Sequence, residues 1–162
     1  MPNTRPTTDL AKEGLFNILQ NMIDFDEIES LELFAGTGSI SYELASRGAA
    51  NLTIIERDKA MATFILKNAA ALGFNNMNVL QLEVFRFLNG CKSDFDFIFA
   101  DPPYALPEME LIPDLIFDNN LLRRDGLFVL EHTPRNEFEH HARFIKVKNY
   151  GTTLFSFFGF ED

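Results

Sequence analysis

The sequence predicts an α/β domain built on a parallel, doubly wound sheet. Short apolar runs alternate along the chain with helix-forming segments, which is the pattern of a parallel sheet with crossover helices. Four of these runs end at or near an acidic residue. The chain has 162 residues, 46% of them hydrophobic, so it is the size of one domain and can bury a core.

In the N-terminal half, a threonine or aspartate can cap a first helix over 9–20. A short apolar strand over 30–36 then breaks into glycines, and a helix fits 39–47. The run over 51–58 is a second strand. An alanine-rich helix over 58–72 follows it and is closed by a glycine.

In the C-terminal half, a third strand over 77–83 leads into a short helical turn over 84–88. The apolar run over 94–101 is a fourth strand. We expect most of 107–120 to be helical despite an internal proline, and 126–132 to be a fifth strand.

The tail over 144–160 alternates enough to predict a two-stranded antiparallel hairpin that turns near Tyr150 and Gly151. This C-terminal hairpin would complete a seven-stranded, mostly parallel sheet with helices on both faces. We expect a single domain over 1–162, in which 1–22 form an N-terminal arm and helix that borders the site.

Composition limits the class of protein. The single cysteine, Cys91, excludes an internal disulfide, and no Cys/His cluster in the sequence has metal-site spacing. A signal-peptide pattern and a membrane-length apolar run are both absent from the sequence, which predicts a cytoplasmic protein. The formal net charge of −10, taken alone, argues for a small-molecule or protein partner, because phosphate contacts supply much of the affinity for nucleic acids.

Four acidic residues lie at or near the ends of four successive predicted strands: Glu32, Glu56, Glu83 and Asp101. Parallel sheets bind ligands at the carboxyl ends of their strands. The acids are therefore expected to share one site.

The stretch around the first strand end contains Gly36 and Gly38, where glycine permits a positive φ and close approach of a ligand to the backbone. This G-x-G lacks the third glycine of a dinucleotide fingerprint, and an ordinary tight turn is the alternative. Glu56 stands where an acid commonly binds ribose hydroxyls. Glu83 could accept a hydrogen bond from an adenine amino group. A solvated surface charge is the alternative for Glu56.

The tetrapeptide Asp101-Pro102-Pro103-Tyr104 is the most specific signal in the chain. The two prolines donate no backbone hydrogen bond and fix φ near −65°. The Asp101 carboxylate and the Pro102 carbonyl can then each accept one hydrogen of an amino group on a planar ring. Tyr104 offers a ring on which a base can stack, worth roughly 1–3 kcal/mol. The alternative is a turn that ends the strand and has no catalytic role.

These residues resemble a known family. The tetrapeptide resembles the D/N-P-P-Y/F motif of S-adenosylmethionine-dependent amino-methyltransferases, and the stretch over 31–39 resembles their first cofactor motif. Together with 5–19, 31–49, the IIERD stretch and 96–107, they are similar to the RsmD family, whose members methylate the N2 amino group of a guanine in 16S ribosomal RNA.

The resemblance implies a class I methyltransferase domain that binds S-adenosylmethionine. It implies catalytic roles for Asp101, Pro102 and Tyr104. The implied cofactor-binding residues are Glu32, Phe34, Gly36, Gly38, Glu56, Arg57, Glu83 and Val84. The implied substrate-binding residues are Arg5, Thr7, Thr8, Pro103 and Tyr104.

The implied partner is 16S rRNA, within a small-subunit particle whose basic proteins could meet an acidic enzyme, and the implied state is a monomer without a metal. The chain departs from the family in three respects. It starts almost at Arg5, without the family's basic segment; Leu10 stands where an arginine is usual; and Glu32 and Glu83 replace the commoner aspartate.

Three other interpretations remain. The same tetrapeptide serves amino-methyltransferases that act on adenine N6 in RNA or DNA, or on protein glutamine. A catalytically weak, cofactor-binding ribosome-assembly module is the second. A nicotinamide dehydrogenase would use Gly36, Gly38 and Glu56 but leaves the proline pair without a task.

Overall fold

The computed structural model describes residues 8–160 and contains seven strands and five helices in that range. The strands are β1 (Glu29–Leu33), β2 (Asn51–Ile55), β3 (Met77–Leu80), β4 (Phe95–Ala100), β5 (Leu122–His132), β6 (Phe144–Tyr150) and β7 (Thr153–Gly159). The helices are α1 (Asp9–Leu19), α2 (Ser39–Ser46), α3 (Lys59–Ala71), α4 (Val84–Gly90) and α5 (Leu111–Asp118).

All seven strands form one sheet in the order β3-β2-β1-β4-β5-β7-β6. The first five strands pair in parallel, and β7 pairs antiparallel with both β5 and β6. The predicted α/β class, the seven-stranded sheet and the C-terminal hairpin are therefore confirmed. Because β1 to β5 are parallel, their carboxyl ends meet at one edge of the sheet.

Local sequence explains where the helices begin. The Thr8 side chain caps α1 by accepting from the Ala11 N–H at 3.2 Å, and Asp58 caps α3 by accepting from the Met61 N–H at 3.0 Å. The last helix is shorter than predicted, because 107–110 form turns and α5 begins only at Leu111. Pro113 thus lies in the first turn, where its missing N–H removes no intrahelical hydrogen bond.

The core lies on both faces of the sheet. Along β4, Phe97 and Phe99 pack on one face against α1, α2 and α3, while Ile98 and Ala100 pack on the other against α4 and α5. Six phenylalanines are fully buried, so the high phenylalanine content serves packing. Among residues 8–160, none of the helices is long and apolar enough to cross a membrane.

β5 begins four residues before the predicted start because of contacts that no local pattern reveals. Phe95 pairs with Leu122 and Phe97 with Leu127, so β5 bulges over 123–126. From this bulge Arg123 donates to Asp94 and Asp96, each at 2.9 Å, and to Glu29. These hydrogen bonds raise the pKa of Arg123, and they tie the amino ends of β1, β4 and β5 together.

Gly126 lies in the bulge of β5, where little space is left between its backbone and that of β4. A Cβ at this position would stand 2.8 Å from the Asp96 carbonyl oxygen and 3.0 Å from that of Arg123. We expect Gly126→Ala to lower the free energy of unfolding by about 1–3 kcal/mol, because a backbone carbonyl cannot move aside as a flexible side chain can. Chemical denaturation measures this loss.

Gly90→Ala is the matched control, since a Cβ there meets no atom within 4 Å. Equal stabilities of the two variants would contradict the close approach at Gly126.

Candidate functional site

A cavity of about 590 Å³ opens at the carboxyl ends of β1, β2 and β4. Its walls come from the first turn after β1, the end of β2, the start of α4 and the segment after β4. The lining residues are Glu32, Phe34, Ala35, Gly36, Thr37, Ser39, Ile40, Glu56, Arg57, Met61, Glu83, Val84, Phe85, Phe99, Asp101, Pro103, Leu106 and Glu108. The four strand-end acids do therefore share one site.

The turn from β1 into α2 is held in a left-handed backbone conformation at three residues: Phe34 (φ 56°), Gly36 (φ 59°) and Gly38 (φ 78°). A Cβ on Gly36 would meet nothing within 4 Å, which leaves its backbone open to the cavity. Gly38 does not line the cavity, and a Cβ there would meet Ile65 and Tyr42 at 3.3 Å. Gly38 thus serves the turn and its packing.

Glu32 is 3% exposed and binds the first turn of α2. One of its oxygens accepts from the Ser41 hydroxyl at 2.6 Å and from the Ser41 N–H at 3.1 Å. Burial raises the pKa of Glu32 to about 7, against the lowering effect of the two Ser41 hydrogen bonds and with a contribution from the charges of Glu56 and Glu131. A buried carboxyl of this kind is sensitive to any cation placed in the cavity.

Glu56 and Glu83 each bind backbone N–H groups of a neighbouring loop. Glu56 accepts from the Gly36 N–H and the Asp58 N–H, both at 2.9 Å. Glu83 caps α4 by accepting from the N–H of the residues at 85 and 86, at 2.8 and 3.1 Å. An ionised carboxylate has about four acceptor positions, so each acid keeps capacity for a ligand. Their roles toward ribose and adenine stay predictions.

The Asp-Pro-Pro-Tyr corner follows β4 directly. The Asp101 N–H donates to the Leu33 carbonyl at 3.3 Å, which continues the pairing of β4 with β1. Asp101 and Pro103 line the cavity, while the side chain of Pro102 is buried. Tyr104 lies outside the lining and is 50% exposed, so its ring is accessible for stacking.

The N-terminal arm is described only in part. Arg5 and Thr7 lie outside the described residues, and Thr8 caps α1. That helix packs beside β6, where the Tyr150 ring lies against Gly14. Within 8–22, which the structure does describe, no residue lines the cavity. The bordering role of the arm therefore stays a prediction.

The remaining predicted cofactor residues, Phe34, Arg57 and Val84, all line the cavity. Sequence reasoning missed several others. The alternation of β4 could have found Phe99, two residues before Asp101, whereas Glu108 carries no local signal. Among residues 8–160, no group of three or more His, Cys, Asp or Glu is placed to hold a metal ion.

Comparison with known proteins finds a matching family model and similar curated proteins. A family model described as conserved hypothetical protein 95 matches residues 1–159. The chain is 35% identical over 135 residues to ribosomal RNA small subunit methyltransferase D of Escherichia coli (strain K12), covering 83% of this chain and 67% of that protein.

Solved structures agree in fold. "Putative methyltransferase yhhF from Escherichia coli" superposes with a TM-score of 0.84 at 30% identity, covering 97% of this chain and 88% of the other. A T. thermophilus 16S rRNA N2 methyltransferase (RsmC), solved with AdoMet and guanosine, superposes with a TM-score of 0.75 at 21% identity. It covers 96% of this chain and 44% of the other, and this likeness shows the fold alone.

Glu32 should make stability depend on pH. Its pKa rises from 4.5 to about 7 on folding, so the folded chain binds more protons than the unfolded chain between these values. The free energy of unfolding therefore falls as pH rises through this window, by about 3 kcal/mol at most. We expect Glu32→Gln to lose this dependence, measured by denaturation from pH 4 to 9.

Glu139→Gln is the control, because Glu139 is an exposed glutamate outside the cavity. If Glu32→Gln and Glu139→Gln kept the same pH profile as the original chain, the shifted pKa of Glu32 would be rejected.

Proposed function

The chain belongs to the ribosomal RNA small subunit methyltransferase D (RsmD) family, and on that premise we propose that it methylates the exocyclic N2 amino group of a guanine in 16S rRNA. S-adenosylmethionine is the methyl donor. The observation that carries the proposal is the placement of Asp101 and Pro103, which open onto the same cavity as three strand-end glutamates. A turn that only ended β4 would not need this arrangement.

The cavity fits the cofactor in size and in charge. Small-molecule sites commonly measure about 300–1,000 Å³, and this cavity of about 590 Å³ falls in that range. S-adenosylmethionine carries a positive sulfonium and an ammonium group, and the lining has five acidic side chains against one arginine. The charges of these side chains therefore suit a cationic ligand.

In the proposed arrangement, the Gly36 backbone passes close to the methionine portion of the cofactor, and Glu32 lies near its amino group. Glu56 accepts from the ribose hydroxyls while it holds the Gly36 N–H. Glu83 accepts from the adenine amino group. The other residues assigned to this subsite are Phe34, Arg57 and Val84, and Gly38 contributes through the turn that carries Gly36.

When bound, the cofactor supplies a methyl carbon that guanine N2 attacks with its lone pair, as the carbon–sulfur bond breaks and its electron pair goes to sulfur. The chain's part is to align the amine. The Asp101 carboxylate and the Pro102 carbonyl each accept one N2 hydrogen, which turns the nitrogen lone pair toward the methyl group. Asp101 then receives the proton that N2 loses.

The target base must leave its stack to reach the cavity. Tyr104, half exposed beside the corner, offers a ring for it, and Pro103 forms part of the cavity wall. Arg5, Thr7 and Thr8 are assigned to the border of the base pocket, with Arg5 toward a phosphate or a base edge.

The substrate is proposed to be 16S rRNA inside a small-subunit particle, and the enzyme to act as a cytoplasmic monomer. The support is electrostatic. A chain of net charge −10 repels bare phosphate, whereas a particle also presents basic proteins. Equal activity on naked RNA and on particles would contradict this part of the proposal.

Transfer of tritiated methyl groups into small-subunit particles that lack the modification tests the function, with the product nucleoside identified by chromatography as N2-methylguanosine. We expect Asp101→Ala to lower turnover by about a hundredfold or more, because N2 loses an acceptor and its alignment. Cofactor affinity, measured by calorimetry, should stay within a few-fold.

Asp118→Ala serves as the control, since Asp118 is an exposed aspartate on α5. Labelled N6-methyladenosine instead of N2-methylguanosine would overturn the guanine assignment. Near-normal transfer by Asp101→Ala would remove Asp101 from the chemistry.

Glu56→Ala should act first on cofactor binding. We expect its affinity for S-adenosylmethionine to fall about 10- to 100-fold, because the ribose hydroxyls lose a charged acceptor and the Gly36 N–H loses its anchor. Calorimetry measures the affinity, and melting curves check the fold. Unchanged affinity would reject the ribose role, and Glu139→Ala provides the baseline.

A further inference from the structure

Glu108 is a cavity-lining carboxylate that the proposed reaction does not yet use. It lies on the wall that also carries Asp101, Pro103 and Leu106. Its side chain is exposed and takes part in no hydrogen bond or ion pair within residues 8–160. We propose that Glu108 selects guanine by accepting the N1–H of the target base, an inference that rests on the proposed function.

Backbone hydrogen bonds and a buried neighbour hold the segment that carries Glu108 at the wall of the cavity. The Leu106 N–H donates to the Pro103 carbonyl at 3.0 Å, and the Leu111 N–H donates to the Glu108 carbonyl at 3.0 Å. The neighbouring Met109 is 1% exposed and anchors the segment in the core. Glu108 is thereby held close to the corner that positions the amine.

The donors of the base require a third acceptor. The edge of guanine that carries N2 presents two N2 hydrogens and, beside them, the N1–H. Asp101 and Pro102 accept the N2 hydrogens in the proposed mechanism. Of the other cavity acids, Glu32, Glu56 and Glu83 are assigned to the cofactor in the proposed arrangement, and each anchors its own loop. Glu108 is therefore the remaining acid on the 101–108 wall that can accept a hydrogen bond from the N1–H.

The same carboxylate disfavours adenine. Adenine carries its amino group next to an N1 that accepts hydrogen bonds, so its N1 lone pair would face the Glu108 oxygens. A site that presents an acceptor to N1 disfavours an analogue without the N1–H, because two lone pairs would then face each other with no hydrogen between them. Glu108 thus distinguishes a guanine enzyme from an adenine enzyme that has the same Asp-Pro-Pro-Tyr corner.

2-Aminopurine tests this directly, because it keeps the N2 amino group but has an acceptor at N1. Particles are reconstituted with 16S rRNA carrying either guanine or 2-aminopurine at the position that the transfer assay identifies. Single-turnover methylation is then measured. We expect the original chain to prefer guanine by about 10- to 100-fold, the loss associated with one hydrogen bond to a charged group.

Glu108→Gln should reduce guanine methylation several-fold, because its neutral amide oxygen accepts the N1–H more weakly than a carboxylate. It should leave 2-aminopurine equal or faster, because the amide can also donate to N1. Glu108→Ala offers neither an acceptor nor a donor to N1. We expect it to lose the preference for guanine over 2-aminopurine. Glu110→Gln, an exposed glutamate of the same segment outside the cavity lining, should keep the original preference.

Melting temperatures should be unchanged in all three variants, since both glutamates are exposed. An unchanged guanine preference in Glu108→Ala would overturn this inference and leave the proposed function intact, as would equal losses on both bases. Absence of transfer by the original chain would overturn the proposed function and the inference with it.

Discussion

The pairing of β1 with β4 is the constraint on which the rest of the site depends. The chain passes from β1 outward to β2 and β3, then crosses back to place β4 on the other side of β1. This reversal of strand order leaves a crevice at the carboxyl ends of the two strands. Leu33 pairs with Ala100, and the next N–H, of Asp101, still donates to the Leu33 carbonyl. Glu32 and the Asp-Pro-Pro-Tyr corner therefore open onto one crevice.

The acids of this crevice stabilise the loops around it even without a ligand. Glu56 holds the glycine turn after β1, Glu83 caps α4, and Glu32 fixes the first turn of α2. Each carboxylate thereby sets the shape of the loop beside it and keeps acceptor capacity toward the cavity. Groups that are already oriented lose little freedom on binding, which favours affinity. Removing one of them alters the loop and the ligand contact together.

Much of the fold could be predicted from sequence, because the strands are short apolar runs and the strand-end acids are local signals. The early start of β5 could not, since Arg123 is held by acids of β1 and β4 that are distant in sequence. The later start of α5 could not be predicted either, because residues 107–110 form turns although their types also favour helices. Net charge taken alone argued for a small-molecule or protein partner, whereas the relative from Escherichia coli is named a ribosomal RNA methyltransferase. The motifs, and not the charge, carried the prediction of an rRNA partner. Glu108 had no local pattern at all.

The order of the last two strands has a consequence for association between chains. β7 follows β6 in the chain, yet it is the strand that pairs with β5, so β6 joins the sheet only through β7. Without β7, the edge of β5 that carries the apolar run Leu127–Leu130 would be unpaired. In the folded chain β7 pairs with this edge, and its Phe155, Phe157 and Phe158 are fully buried. Loss of β7 would therefore leave this apolar edge open to pairing with another chain.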